Sequence, residues 1–444
     1  MSNRSGSILR FSLRASTICL VVLVAFIFAL PAHAGSQVRI VRLSDVHGGV
    51  QIDKNSGTGF ENAFLNLPVT QGTQLRTRDN GRVEIEFEDG STLRLGPNSQ
   101  LDFSTLSLND SGARISILNL ADGAAYVNWL GNAGERFTLN FSHEKVDLDH
   151  PAHFRVDTSA DATKVAVFKG ELQVVAPSGP VTVAKNKMVT FSADDEKPVL
   201  AKNIEPELLD SWDKEAIAYH DQYSKNNNSS PYAYGLSDLN YFGAYTPVPG
   251  YGMMWQPFFA GAGWNPFMDG AWSWYPGMGY MFVSAYPWGW MPYRYGNWAM
   301  IPGMGWMWQP GNWNSFATVP RYVGASAASF HAPVAPTGTV STVVVGRGGP
   351  VLSPVLPTHL TITRGSAGLG VPRGAVGDLK SMNRQVAKSG LVQIQRAPQF
   401  SARSGGSFGE RSSYGSTSGA SSVSSGLHTS SASSAHASSG SGHH

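Results

Sequence analysis

At 444 residues the chain has room for two or three domains of roughly 150 residues each, which excludes a single small module. Only 14% of residues are charged and the formal net charge is +2, alongside 49 Gly, 26 Pro and 12 Trp, so the composition is neither that of an average globular protein nor that of a charge-rich disordered one. One Cys excludes an internal disulfide and any Cys-based metal or thiol-pair site.

The near-neutral total is a cancellation between regions. Residues 35–229 carry 19 basic and 27 acidic side chains, residues 230–322 carry two of each, and residues 323–444 carry nine basic and two acidic. Ten of the 12 Trp lie in the uncharged middle region. Residues 1–34 hold Arg4, Arg10 and Arg14 with no acid, an apolar run at 18–30, and the small-residue box Pro31-Ala32-His33-Ala34. This is the pattern of an export signal cleaved after Ala34. As a helix the apolar run spans about 20 Å, short of the ~30 Å hydrocarbon core; kept uncleaved, the same segment would be an anchor. Cleavage removes Cys19 and leaves a mature chain with no membrane span, independent of oxidative folding.

From 38 to 191 the apolar residues recur with period two between turn residues, predicting short strands. In Arg82-Val83-Glu84-Ile85-Glu86-Phe87-Glu88, Val83, Ile85 and Phe87 face one way and the three glutamates the other, which reads as a solvated face. Asp89-Gly90 then supplies a tight turn, and Leu93 and Leu95 return inward. The fold expected over 35–200 is mainly β: a sandwich, jelly roll or strand solenoid.

The stretch from Leu75 to Ser99, centred on Arg82-Val83-Glu84-Ile85-Glu86-Phe87-Glu88-Asp89-Gly90-Ser91, resembles the FecR domain, and Val167-Phe168-Lys169-Gly170-Glu171-Leu172 matches that family's second characteristic stretch. The likeness covers about residues 38–192. It implies an extracytoplasmic domain of a bacterial protein, periplasmic or secreted. In the founding members the domain relays a signal to a sigma factor through a cytoplasmic segment. Only about 17 residues precede the apolar run here, so that role is not carried over.

One short amphipathic helix is expected over 204–225, with Pro206 in its first turn and Leu208, Leu209, Trp212, Ala216, Tyr219 and Tyr223 at three- and four-residue spacing, its Trp212 face packed on the strands. Residues 226–236 read as a linker. Over 237–322 a unit repeats: Gly243, Gly270 and Gly296 each precede Pro-Gly-x-Gly by six positions, at Pro249, Pro276 and Pro302. Each copy predicts a hairpin, and three hairpins can stack into one small sheet or roll. The rings have two readings. They form the module's core, or Trp264, Trp290, Trp298, Trp306 and Trp308 present a platform on which a ligand such as a sugar stacks. This block resembles an uncharacterised module found after FecR domains in exported bacterial proteins, a likeness that implies no activity.

Residues 323–403 read as mostly irregular with a helix-strand island at 374–395, and 404–444, almost entirely small and polar, as disordered. The densest set of potential ligands is His143, Asp147 and Asp149, which extended geometry would place on one side as weak metal candidates. No catalytic constellation, cofactor motif or nucleic-acid signature is present. The reading is an exported, non-enzymatic FecR-domain protein that binds or scaffolds in the cell envelope, with an envelope protein or polysaccharide as partner. The alternatives are a signal-sensing component without its own sigma-binding domain, and a glycan- or cell-wall-binding module using exposed aromatics.

Overall fold

The computed structural model describes residues 39–192, 197–323, 330, 332–338, 342–345 and 359–395. The signal segment and the 404–444 tail lie outside these residues, all of which belong to one compact unit ending at Ala397. The fold is mainly β, with four helices among the described residues, two of them at the expected 204–225 helix and 374–395 helix-strand island.

Seventeen strands make one hydrogen-bonded sheet folded into two layers. The long strand Arg114–Trp129 serves both: its first half pairs with Gln100–Leu108 and, in parallel, with Arg136–Phe141, and its second half with Thr92–Leu95 and Ala152–Thr158. On either side of it the chain passes from layer to layer. The core between the layers is mostly aliphatic, built from Val83, Ile85, Leu93, Leu95, Val127, Val165 and their neighbours with rings such as Phe154 among them, as the period-two pattern requires. Helix α1 (Asp210–Tyr223) follows the strands. Pro206 and the exposed Leu208 lie before it; of the expected stripe Tyr219 is buried and Leu209, Trp212, Ala216 and Tyr223 are half-buried, with Trp212 beneath the Arg82 guanidinium 5.1 Å from its ring, and Asp213 is buried beside them. The stretch read as a linker is pinned down: Tyr234 is buried and Ala233 N–H donates to the Glu88 carbonyl at 2.8 Å.

Helix α2 (Leu236–Phe242) opens the aromatic module. The repeat forms the three predicted hairpins, Gly243–Val248 with Gly252–Pro257, Gly270–Tyr275 with Gly279–Ser284, and Asn297–Ile301 with Gly305–Gln309. Both glycines of each turn take positive φ, between 74° and 83°. The first glycine of each copy has a different task. A Cβ there would meet the Trp255 ring at 2.3 Å from Gly243, the Phe282 ring at 2.6 Å from Gly270, and the Trp308 indole nitrogen at 2.6 Å from Gly296. Each glycine thus makes room for a ring on its own partner strand. The hairpins do not stack into one sheet: the first and third share a five-stranded sheet, and the second pairs with Thr342–Val345 in another. Helix α3 (Met291–Arg294) lies between the second and third hairpins. Strand His359–Thr363, helix α4 (Leu379–Ser389) and strand Leu391–Gln395 then form a strap against the module's core. No helix of the described residues is long and apolar enough to cross a membrane.

Candidate functional site

The glutamates expected to face water face the protein. Glu84 and Glu86 are each 1% exposed and Glu88 is buried as well. Period two sends these side chains away from the aliphatic core, but α1, α2 and the aromatic module cover the sheet's other side. The outward positions of the neighbouring strands hold the opposite charge. Arg42 stands across from Glu86, and Glu84, Arg94, Tyr126 and Arg155 form a row, one residue from each of four adjacent strands.

The covering elements complete the lattice. From α1, Asp210 accepts from Arg155 at 2.6 Å and from the Tyr126 hydroxyl at 3.0 Å, and Asp213 accepts from Arg94 at 2.8 Å and meets His153 Nε2 at 2.7 Å. His220 of α1 places Nε2 3.0 Å from Glu84 and Nδ1 3.1 Å from the Ser237 hydroxyl. From α2, Asp238 receives the Tyr219 hydroxyl at 2.9 Å and pairs with Arg42 at 2.6 Å. From the strap, Arg373 grips both oxygens of Asp238, at 2.8 and 2.6 Å, and reaches Glu84 at 2.9 Å. Glu84 also accepts from Ser44 at 2.6 Å and Arg94 at 2.8 Å. Further bonds tie the sandwich to the module, from Arg42 to the Pro287 carbonyl at 2.9 Å and from Asn66 to the Tyr286 carbonyl at 2.8 Å.

Burial opposes the charges of Glu84, Asp238 and Glu86, and their partners decide the outcome. Burial would raise the Glu84 carboxyl, but His220, Arg94 and Arg373 hold it well below the usual carboxylate range. Asp238 is likewise kept low against burial by Arg373 and Arg42. For Glu86 burial wins, helped by the nearby Asp238 charge, and its carboxyl is raised despite His220 and Arg42. The lattice is therefore an electrostatic seam with one reluctant carboxylate. Each of these carboxylates is engaged by at least one cation.

The residues singled out by sequence lie elsewhere. Trp264, Trp290, Trp298, Trp306 and Trp308 are all buried, at most 4% exposed, and Trp264 packs edge-to-face on Trp288 and Trp298 at about 6 Å. Their faces meet other rings, which leaves a stacking ligand no platform there. Trp288 and Trp290 lie in the turn before α3. Asp147 is occupied by Thr138 and Lys145, Asp149 by His150, and His143 lines an open cavity of about 300 Å³ with Glu144, Asp161 and Phe191 at one end of the sandwich. The three candidates do not converge, and among the described residues no group of three His, Cys, Asp or Glu could hold a metal ion. Sequence reasoning passed over Arg42, Arg94, Asp213, His220, Asp238 and Arg373. For Arg42 and Arg94, opposite charges at outward positions of successive strands were the available signal.

Residues 73–173 match the FecR protein family, and residues 236–338 match a family of unknown function, DUF6600. The chain carries a FecR domain followed by a DUF6600 region. Glu84, Arg94 and Arg155 belong to the FecR domain and Asp238 to the DUF6600 region, while Arg42 and Arg373 lie outside both matches. No curated protein matches the chain. Two crystal structures of an anti-sigma factor candidate from Parabacteroides distasonis ATCC 8503, at 1.65 and 2.50 Å resolution, are similar to part of it. The first is 16% identical over 34% of this chain and 72% of that one, with a TM-score of 0.28. The second is 14% identical over 36% and 68%, with a TM-score of 0.27.

Proposed function

We propose that this FecR-domain protein is an exported, non-enzymatic component of the bacterial cell envelope, in which the FecR domain and the DUF6600 region work as one binding body. The observation that carries the reading is the charge lattice. The whole outer face of the FecR sheet around Glu84 is consumed by α1, α2 and the strap, so partners meet the composite surface rather than that face. Exposed apolar side chains on the module's hairpins, Tyr251, Met253 and Met304, are the places where an envelope protein or polysaccharide would first make contact. The FecR match supports a second reading, in which such binding feeds an envelope signalling system.

The test is in-cell photo-cross-linking from positions 251 and 304, combined with fractionation. Recovery of one envelope partner by both positions, from a chain whose mature N-terminus is Gly35, supports the binding role. A cytoplasmic location, or a hydrolytic activity of the purified chain abolished by one carboxylate substitution, overturns it. Deletion separates the two readings: a defined, reproducible transcriptional response marks signalling, and its absence alongside a cross-linked partner marks scaffolding.

A further inference from the structure

The strap is bound the way a peptide ligand is bound. Between strand His359–Thr363 and helix α4 the chain has no regular structure, and much of its polar backbone is satisfied by the module. The Trp288 indole N–H donates to the Ala367 carbonyl at 2.7 Å, Gly365 N–H donates to the Phe259 carbonyl at 2.7 Å, and the Tyr241 hydroxyl bonds both the N–H and the carbonyl of Val376, each at 3.0 Å. Ala367 and Val371 seat in the aromatic core. At the centre, Arg373 fills a guanidinium site. Asp238 offers both oxygens to the fork, Glu84 supplies a third acceptor, and the Tyr219 ring lies 5.5 Å from the cation. These acceptors come from the two family-matched regions, and the strap that fills them lies beyond both.

We propose that Glu84, Asp238, Tyr219, Tyr241 and Trp288 form a binding site for an arginine-bearing, turn-forming peptide, and that residues 359–395 are its tethered ligand. The site recognises a planar bidentate cation followed, three residues on, by a backbone group for the Tyr241 hydroxyl. Lysine, a point charge, satisfies only part of it. A partner segment presenting the same chemistry would compete with the strap, making this a site of exchange between cis and trans occupants.

The test uses the full mature chain with a protease site placed within 346–358. After cutting, the strap fragment stays associated on size exclusion, and a fluorescent 359–395 peptide exchanges into the cut protein. An Arg373→Ala peptide competes at least about tenfold more weakly, and Arg373→Lys falls between, as expected when charge-assisted hydrogen bonds are lost. Equal competition by the Arg373→Ala and unmodified peptides overturns the proposal, as does a fragment that dissociates and cannot be replaced by added peptide. Hydrogen exchange on the uncut chain guards against simple misfolding. Arg373→Ala should speed exchange across 364–378 at least about tenfold while the third hairpin stays protected. Loss of protection everywhere, or nowhere, counts against the site.

Discussion

The two halves of the molecule solve the same burial problem with different chemistry. The sandwich buries mostly branched aliphatic side chains, with a smaller set of rings such as Phe87, Trp129 and Phe137 among them. The module buries indoles and phenols, each carrying a polar atom into the interior. Trp255 donates to the Leu239 carbonyl at 3.0 Å, Trp308 to the Tyr295 carbonyl at 2.8 Å, and Trp264 to the Tyr286 hydroxyl at 2.9 Å. The sandwich core is held mainly by shape, whereas several indoles of the aromatic core are also tied to particular acceptors, Trp290 and Trp298 excepted, and so tolerate less rearrangement. The difference reaches the charges. Those on the sandwich are paired in a lattice, but Arg294 in the module rests over the Trp290 and Phe316 rings with a single 3.3 Å bond to the Ala317 carbonyl, and burial pushes its guanidinium down to about 10.

The largest expected effect breaks the aromatic side. Trp288→Ala removes rings packed at 4.9 Å on Trp255 and 5.0 Å on Tyr286, together with the bond to Ala367. It should cost about 3–5 kcal/mol in chemical denaturation, with the module unfolding ahead of the sandwich. Next, Glu84→Gln leaves Arg94 and Arg373 short of a counter-charge and should cost about 3 kcal/mol at neutral pH. The penalty is pH-dependent. A carboxyl held low in the fold contributes stability above its unfolded value, near 4, and loses it as pH falls through the folded value. The gap between wild type and Glu84→Gln should therefore close in strong acid, whereas Glu86→Gln, replacing a raised carboxyl, should keep or gain stability at pH 7. Denaturation midpoints across the acid range decide both; a Glu84→Gln gap that persists below the carboxylate range counts against the seam. Ile85→Val, a one-methylene loss in the aliphatic core, should cost only about 1 kcal/mol. Arg294→Met should be smallest, within about 1 kcal/mol of wild type or stabilising, because no ion pair offsets its burial. A thermal scan showing a large loss would mean the ring contacts hold that cation more strongly than they appear to in geometry.

Much of this was legible in residue order. Alternation at Val83, Ile85 and Phe87 placed the core face of the sheet, and Pro-Gly-x-Gly placed all three hairpin turns. The glycine that opens each repeat also had a partner in plain sight, an aromatic residue twelve positions later at Trp255, Phe282 and Trp308. Alternation cannot say what covers a strand's second face, so Glu84 and Glu86 read as solvated. The near absence of charge from 230 to 322 favoured an interior for the tryptophans over a platform, since an exposed sheet needs polar cover. Arg373 had no local signal at all. Its role depends on a carboxylate 289 residues away.

That distance sets an order in time. Glu84 is made early and Arg373 late, so until the strap is synthesised the acidic row has only its nearer partners, among them Arg39, Arg42, Arg94 and His220. Contacts of such long separation close slowly, because loop entropy must be overcome before they stabilise anything. The sandwich can assemble first, the rings can pack next, and the seam locks when the strap arrives. A chain interrupted before that point would carry an unfilled anionic notch beside exposed tryptophans, a surface by which a chaperone or protease could tell unfinished molecules from finished ones.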